Sequence, residues 1–201
     1  KLDSVHMPDI LFSFPHSWLP KKTSDNKLGI ALMHRDGDNS DNAYYRSMAE
    51  VADFWIQTTG KSVVLMAFDT GTEDDVFACE CVKSMMKYKD MVEIVKHGSH
   101  GEILNAYASC SKIIGARFHS AVLAMKMNID FYPIIYRNKM RNLISDMQYP
   151  VNGCDISDID TESIIEFLNC ERVDFKIDKA YELQAENSFM LLKKHIKEEL
   201  K

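Results

Sequence analysis

The sequence predicts an α/β fold, a Rossmann-like open parallel sheet with helices on both faces. Three observations carry this. Short apolar runs alternate with helix-length segments along most of the chain, as strands and crossover helices do. The run "SVVLMAF" (62 to 68) is apolar without interruption, the pattern of a strand covered on both faces. Polar, turn-prone stretches such as "RDGDNSDN" follow the apolar runs where loops must turn into helices.

In chain order, "ILFSF" (10 to 14) is a strand-like run and "KLGIALMH" (27 to 34) a clear strand. A helical pattern then runs from Ala43 to Thr59, with Gly60 where a helix C-terminus favours glycine. After the strand at 62 to 68 come the turn "DTGTEDD", an amphipathic stretch to Lys87, the strand "MVEIV" (91 to 95) and a helix from Glu102 to Cys110. Next are "KIIGA" (112 to 116), a helix from Phe118 to Met127, "FYPII" (131 to 135) and a helix through Met147. Two further helices are expected at 161 to 169 and 178 to 200, the latter with Tyr181, Leu183, Phe189, Leu191, Leu192 and Ile196 as apolar contacts.

With 46% hydrophobic and 27% charged residues the chain has the balance of a folded protein. No apolar run approaches the roughly 20 residues that span a bilayer, and there is no signal-peptide pattern. A net charge of -6, from 24 basic and 30 acidic side chains, argues against a nucleic-acid partner. Five cysteines without a CxxC pair suit reduced thiols and a cytoplasmic location. His97 and His100 lie in a Gly-containing loop and read as solvated; no metal site is expected.

In open parallel sheets ligands bind outside the carboxyl ends of the strands. Basic residues fall there three times: Arg35 after the first strand, Arg117 and His119 after "KIIGA", Arg137 and Lys139 after "FYPII". Gly115 permits close backbone approach, and a helix starting near Arg117 directs its N-H groups and positive dipole end to the same place. Arg suits a carboxylate or phosphate, His transfers protons near neutral pH, and Lys adds a mobile charge. A small, doubly charged anion is therefore expected, with Tyr136 on the ligand side. Asp36, Asp38 and Asp41 read as a polar loop, since Ser47 stands where a calcium-binding loop places its Glu. The methionines at 125, 127, 140 and 147 read as core filler.

The stretch "GARFHSAVLAMKMNIDFYPIIYRNK" (115 to 139) resembles the polysaccharide pyruvyltransferase family. The shared pattern is a small residue ending a strand, Arg-x-His, an Ala-rich helix, a turn, an apolar strand and Tyr-x-x-Lys. The resemblance implies the C-terminal, donor-binding half of a GT-B fold. On that division, residues 1 to 20 are the tail of an N-terminal acceptor domain, 21 to 177 the Rossmann-like donor domain and 178 to 201 a C-terminal helix. It also implies transfer of pyruvyl from phosphoenolpyruvate to a sugar of a cell-surface polysaccharide or its precursor, such as an exopolysaccharide unit. The product is a pyruvate ketal, phosphate is released, and the donor domain alone is inactive. Arg117, His119 and Arg35 carry over as donor-binding residues, with Lys139 beside them, and His119 is expected as the catalytic group, either as general acid or by orienting the phosphate. No cofactor is implied beyond phosphoenolpyruvate as substrate. A lipid-linked acceptor would draw a cytoplasmic enzyme to the inner membrane face. The family's Gly-x-Pro turn is replaced by Asn128-Ile129-Asp130, and Asn tolerates the left-handed backbone that Gly supplies. Two alternatives stay open on the residues: a GT-B glycosyltransferase with a nucleotide-sugar donor, and a non-catalytic anion- or sugar-binding relative.

Overall fold

A computed structural model of the chain describes residues 7–35, 37, 42–71, 73–98 and 101–199. Six parallel strands form one sheet: β1 (Lys27–Leu32), β2 (Val63–Ala67), β3 (Val92–Lys96), β4 (Cys110–Gly115), β5 (Asp130–Ile135) and β6 (Cys154–Asp155). Their order across the sheet is β3-β2-β1-β4-β5-β6. The strand order reverses between β1 and β4, so their carboxyl ends flank a crevice of the kind in which such sheets bind ligands.

The helices are α1 (Ala43–Thr59), α2 (Asp75–Met85), α3 (Glu102–Ala108), α4 (Phe118–Lys126), α5 (Asn138–Asp146), α6 (Thr161–Asn169) and α7 (Lys179–Glu199). Alternating strand residues divide them into two layers. Leu28, Ile30, Leu32, Val63, Leu65 and Ile114 face one core with α1, α2 and α6. Ala31, Val64, Met66, Ile113 and Phe131 face the other with α3, α4, α5 and the start of α7. Side chains that alternate sides along each strand make this possible, and both faces are apolar because both are covered.

Gly60 ends α1 in the left-handed conformation, with φ 68° and its N-H donating to the Ile56 carbonyl. Asn128 has φ 54°, so the turn between α4 and β5 keeps the expected backbone without glycine. Met125 and Met140 pack in the second core, with Met127 and Met147 partly buried against it.

Three expectations are corrected. Residues Ile10–Ser13 form a 3-10 turn, not a strand: Asp9 accepts from the Leu11 amide at 3.0 Å, and Phe12 is driven into the second core. The helix expected to reach Cys110 stops at Ala108, because Cys110 pairs with Lys27 to open β4. In α7, Tyr181 packs edge-on against Phe12 with ring centroids 5.1 Å apart, but Leu183 and Ile196 are more than half exposed. Ala185 is the fully buried residue of that helix among those described. The side chains of Phe189, Leu191 and Leu192 lie outside the described residues, as do Asp36, Asp38, Asp41 and His100.

Candidate active site

A cleft of about 550 Å³ opens at the carboxyl edge of the sheet. Its polar wall is made by Asp69 after β2, His97 after β3, Arg117 and His119 after β4, Lys126 at the end of α4, and Tyr136 and Lys139 after β5. Phe68, Ile103, Leu104, Phe118 and Leu123 supply an apolar wall, and Leu11, Phe14 and Leu19 of the N-terminal segment reach it too. Few polar groups converging in a mostly apolar hollow is the usual construction of a small-ligand site.

Arg117 is the N-cap residue of α4, and its position depends on Gly115 two residues earlier. A Cβ at Gly115 would collide with the Ser120 side chain and press on the Phe131 ring. The strand end and the first turn of α4 can therefore lie close together only with glycine there.

The Arg117 side chain is only 13% exposed. Its Nε donates to Asp75 Oδ2 at 2.9 Å, its Nη2 to Asp75 Oδ1, and its Nη1 to Glu73 Oε2. Asp75 is fully buried and also accepts from the amides of His34 (3.1 Å), Phe68 (3.1 Å) and Asp69 (2.8 Å). Burial alone would pull the Arg117 guanidinium toward neutrality. The hydrogen bonds and charges of Asp75 and Glu73 outweigh it and hold the pKa above the ordinary arginine value.

His119 is about half exposed, with Nε2 3.7 Å from Asp9 Oδ2 and its ring 5.4 Å from that of Phe118. Lys139 brings Nζ to 3.7 Å from the centre of the Phe118 ring, a cation held against an aromatic face beside the same cleft. Tyr136 lines the cleft, whereas Arg137 stacks its guanidinium over the Tyr136 ring at 5.2 Å and lies outside the lining.

Arg35 is partly buried and also outside the lining, and its charge acts on Asp155 at the end of β6. The Asp155 carboxyl there is held below the usual range, first by hydrogen bonds from Ser157, then by the charges of Arg141 and Arg35. The structure thus gathers Arg117, His119, Tyr136 and Lys139 around one cleft and sets Arg35 and Arg137 apart from it.

Sequence reading missed three contributors. His97 reads as a loop histidine but lines the cleft, its amide anchored to the Ala67 carbonyl at 2.9 Å. Asp75 and Glu73 lie in "DTGTEDD", which looks like a solvated turn, and their partner Arg117 is more than 40 residues away. The one local cue was the acidic start of α2, where carboxylates favour a helix N-terminus for reasons unrelated to a ligand. Among the described residues, no group of three or more His, Cys, Asp or Glu side chains is arranged to hold a metal ion. None of the described helices is long and apolar enough to cross a membrane.

The family model for polysaccharide pyruvyl transferase matches residues 1–138. The chain belongs to the polysaccharide pyruvyl transferase family. The match takes in Arg117, His119, Tyr136 and Arg137 and ends one residue before Lys139. No curated protein matches this family member. Among solved structures it is similar to the UDP-GlcNAc 2-epimerase from Methanocaldococcus jannaschii, with a TM-score of 0.55 and 16% identity over 85% of this chain and 46% of that one. That likeness is one of fold: the polysaccharide pyruvyl transferase family member has a Rossmann-like parallel sheet with helices on both faces, resembling one half of a GT-B fold. It spans about half the length of the epimerase.

Proposed function

We propose that the protein supplies the donor site of an enzyme that transfers pyruvyl from phosphoenolpyruvate to a sugar, releasing phosphate and leaving a pyruvate ketal. The observation that carries this reading is the convergence of Arg117, His119, Tyr136 and Lys139 on one cleft at the carboxyl edge of the sheet. A donor with both a carboxylate and a phosphate needs more than one cation, and Arg117 and Lys139 reach the cleft from successive strand ends.

In this scheme His119 is the general acid. Its exposed ring lies at the N-terminal turn of α4, where the helix dipole favours anions, so the acid and the phosphate are held together. A proton added to the donor methylene carbon turns it into a methyl group and leaves an oxocarbenium-like carbon. One sugar hydroxyl adds to that carbon. The C-O bond to phosphate breaks, and a second hydroxyl closes the ketal as each hydroxyl gives up its proton. Arg117 and Lys139 balance the charge that collects on the departing phosphate.

Calorimetric titration with phosphoenolpyruvate, beside a uridine diphosphate-sugar, tests the assignment. Binding of phosphoenolpyruvate that is lost in His119→Ala and Lys139→Ala together supports it. Binding of the nucleotide sugar alone assigns the cleft to a glycosyltransferase instead.

A further inference from the structure

The two acids on Arg117 are held very differently. Asp75 is fully buried and takes three backbone amides besides the guanidinium, so it cannot turn away without stranding them. Glu73 has a side chain 36% exposed and, among the described residues, a hydrogen bond to Arg117 alone. Its carboxylate can return to water by rotating about its own side-chain bonds.

The charges make that difference matter. Asp75 already neutralises Arg117, and Glu73 leaves the trio with one net negative charge, of which Arg117 is the member that lines the cleft. An anionic ligand approaching Arg117 meets repulsion while Glu73 stays, and it meets an unoccupied guanidinium corner once Glu73 leaves. Asp75 fixes the guanidinium plane through Nε and Nη2, so the corner that changes partner is Nη1.

We infer that Glu73 is an internal stand-in for an acidic group of the donor, holding the Nη1 corner of Arg117 until the donor's carboxylate or phosphate displaces it. This rests on the donor reading above and adds a determinant of specificity to it. A neutral sugar cannot displace a carboxylate from a guanidinium, whereas a donor carrying two acidic groups can offer one to Nη1 and the other to Lys139 and His119. Glu73 thereby sets a threshold of charge that a ligand must exceed.

The test is calorimetry of phosphoenolpyruvate and, separately, of inorganic phosphate with wild type, Glu73→Gln and Glu73→Ala, alongside their melting temperatures. Removing a partly exposed competing charge is expected to tighten binding about three- to five-fold in both variants. Melting temperatures should change little, and Glu73→Asp should restore weaker binding. A merely structural Glu73 would instead weaken binding and lower the melting temperature. If wild type binds phosphoenolpyruvate and neither variant tightens either anion, the inference is overturned and the donor reading stands. If no form binds phosphoenolpyruvate but both variants bind phosphate more tightly, the donor reading fails, and Glu73 is left as a stand-in for a phosphate group of some other ligand. Failure of every form to bind either anion overturns both.

Discussion

The Asp75 carboxylate, with none of its surface in water, grips the Arg117 guanidinium through two of its nitrogens although the residues lie 42 positions apart. The pair joins the first turn of α2 to the N-cap of α4 across the carboxyl edge of the sheet. Three amides from the ends of β1 and β2 complete it, so one side chain fixes the rim on which the cleft is built.

Removing one partner of a buried ion pair strands the other, at a cost of about 3–5 kcal/mol. Asp75→Ala should therefore lose about that much unfolding free energy in a urea titration. Glu73→Ala, which removes a partly exposed partner of the same arginine, should lose less than about 1 kcal/mol.

Lys126 is buried in the second layer and ties the N-terminal segment down. Its Nζ donates to the Phe12 carbonyl at 2.8 Å and to Glu182, which also meets His16 Nε2 at 3.1 Å. Lys126→Ala should destabilise the protein and raise protease sensitivity near residues 9 to 19, read by limited proteolysis. Burial pushes the Glu182 carboxyl up, but the hydrogen bonds from Lys126 and His16 and their charges hold it below the usual range. Its contribution is therefore complete above the ordinary glutamate pKa of about 4.3 and is lost as pH falls through the lower folded value. Stability measured from pH 5 down to pH 3 should fall less steeply in Glu182→Gln than in wild type.

Asn128 tests the turn that replaces glycine. A β-branched residue at φ 54° should cost about 1–2 kcal/mol, so Asn128→Val should lower the unfolding midpoint while Asn128→Gly leaves it nearly unchanged. Equal losses in both would mean that the Asn side chain, not the backbone, holds the turn.

The thiols should separate by reactivity. Burial pushes Cys110 up to about 12 and raises Cys79 further, so neither forms thiolate near neutral pH. Cys170 is exposed and should react first with an aromatic disulfide at pH 8, with Cys79 and Cys110 released only on unfolding.

The sheet was legible because its strands are buried on both faces and so appear as uninterrupted apolar runs, as in "SVVLMAF". Gly60 and Asn128 were legible for a local reason, the left-handed backbone each must adopt. β6 was not: two residues, Cys154 and Asp155, carry no periodicity, and the strand exists because β5 offers them an edge. "ILFSF" misled because its apolar residues serve a 3-10 turn capped by Asp9, a geometry that period-two counting does not distinguish. The Arg-x-His and Tyr-x-x-Lys residues that line the cleft follow strand ends and could be placed from order alone. Asp75 and Glu73 could not, since nothing near them in sequence points to Arg117.

The most direct measurement is a crystal structure of the protein with phosphoenolpyruvate. The donor is expected in the 550 Å³ cleft, with one acidic group at Arg117 Nη1 and the other near His119 and Lys139. Donor density elsewhere on the protein, with Arg117 still bound to Glu73 and the cleft unaltered, would contradict this expectation.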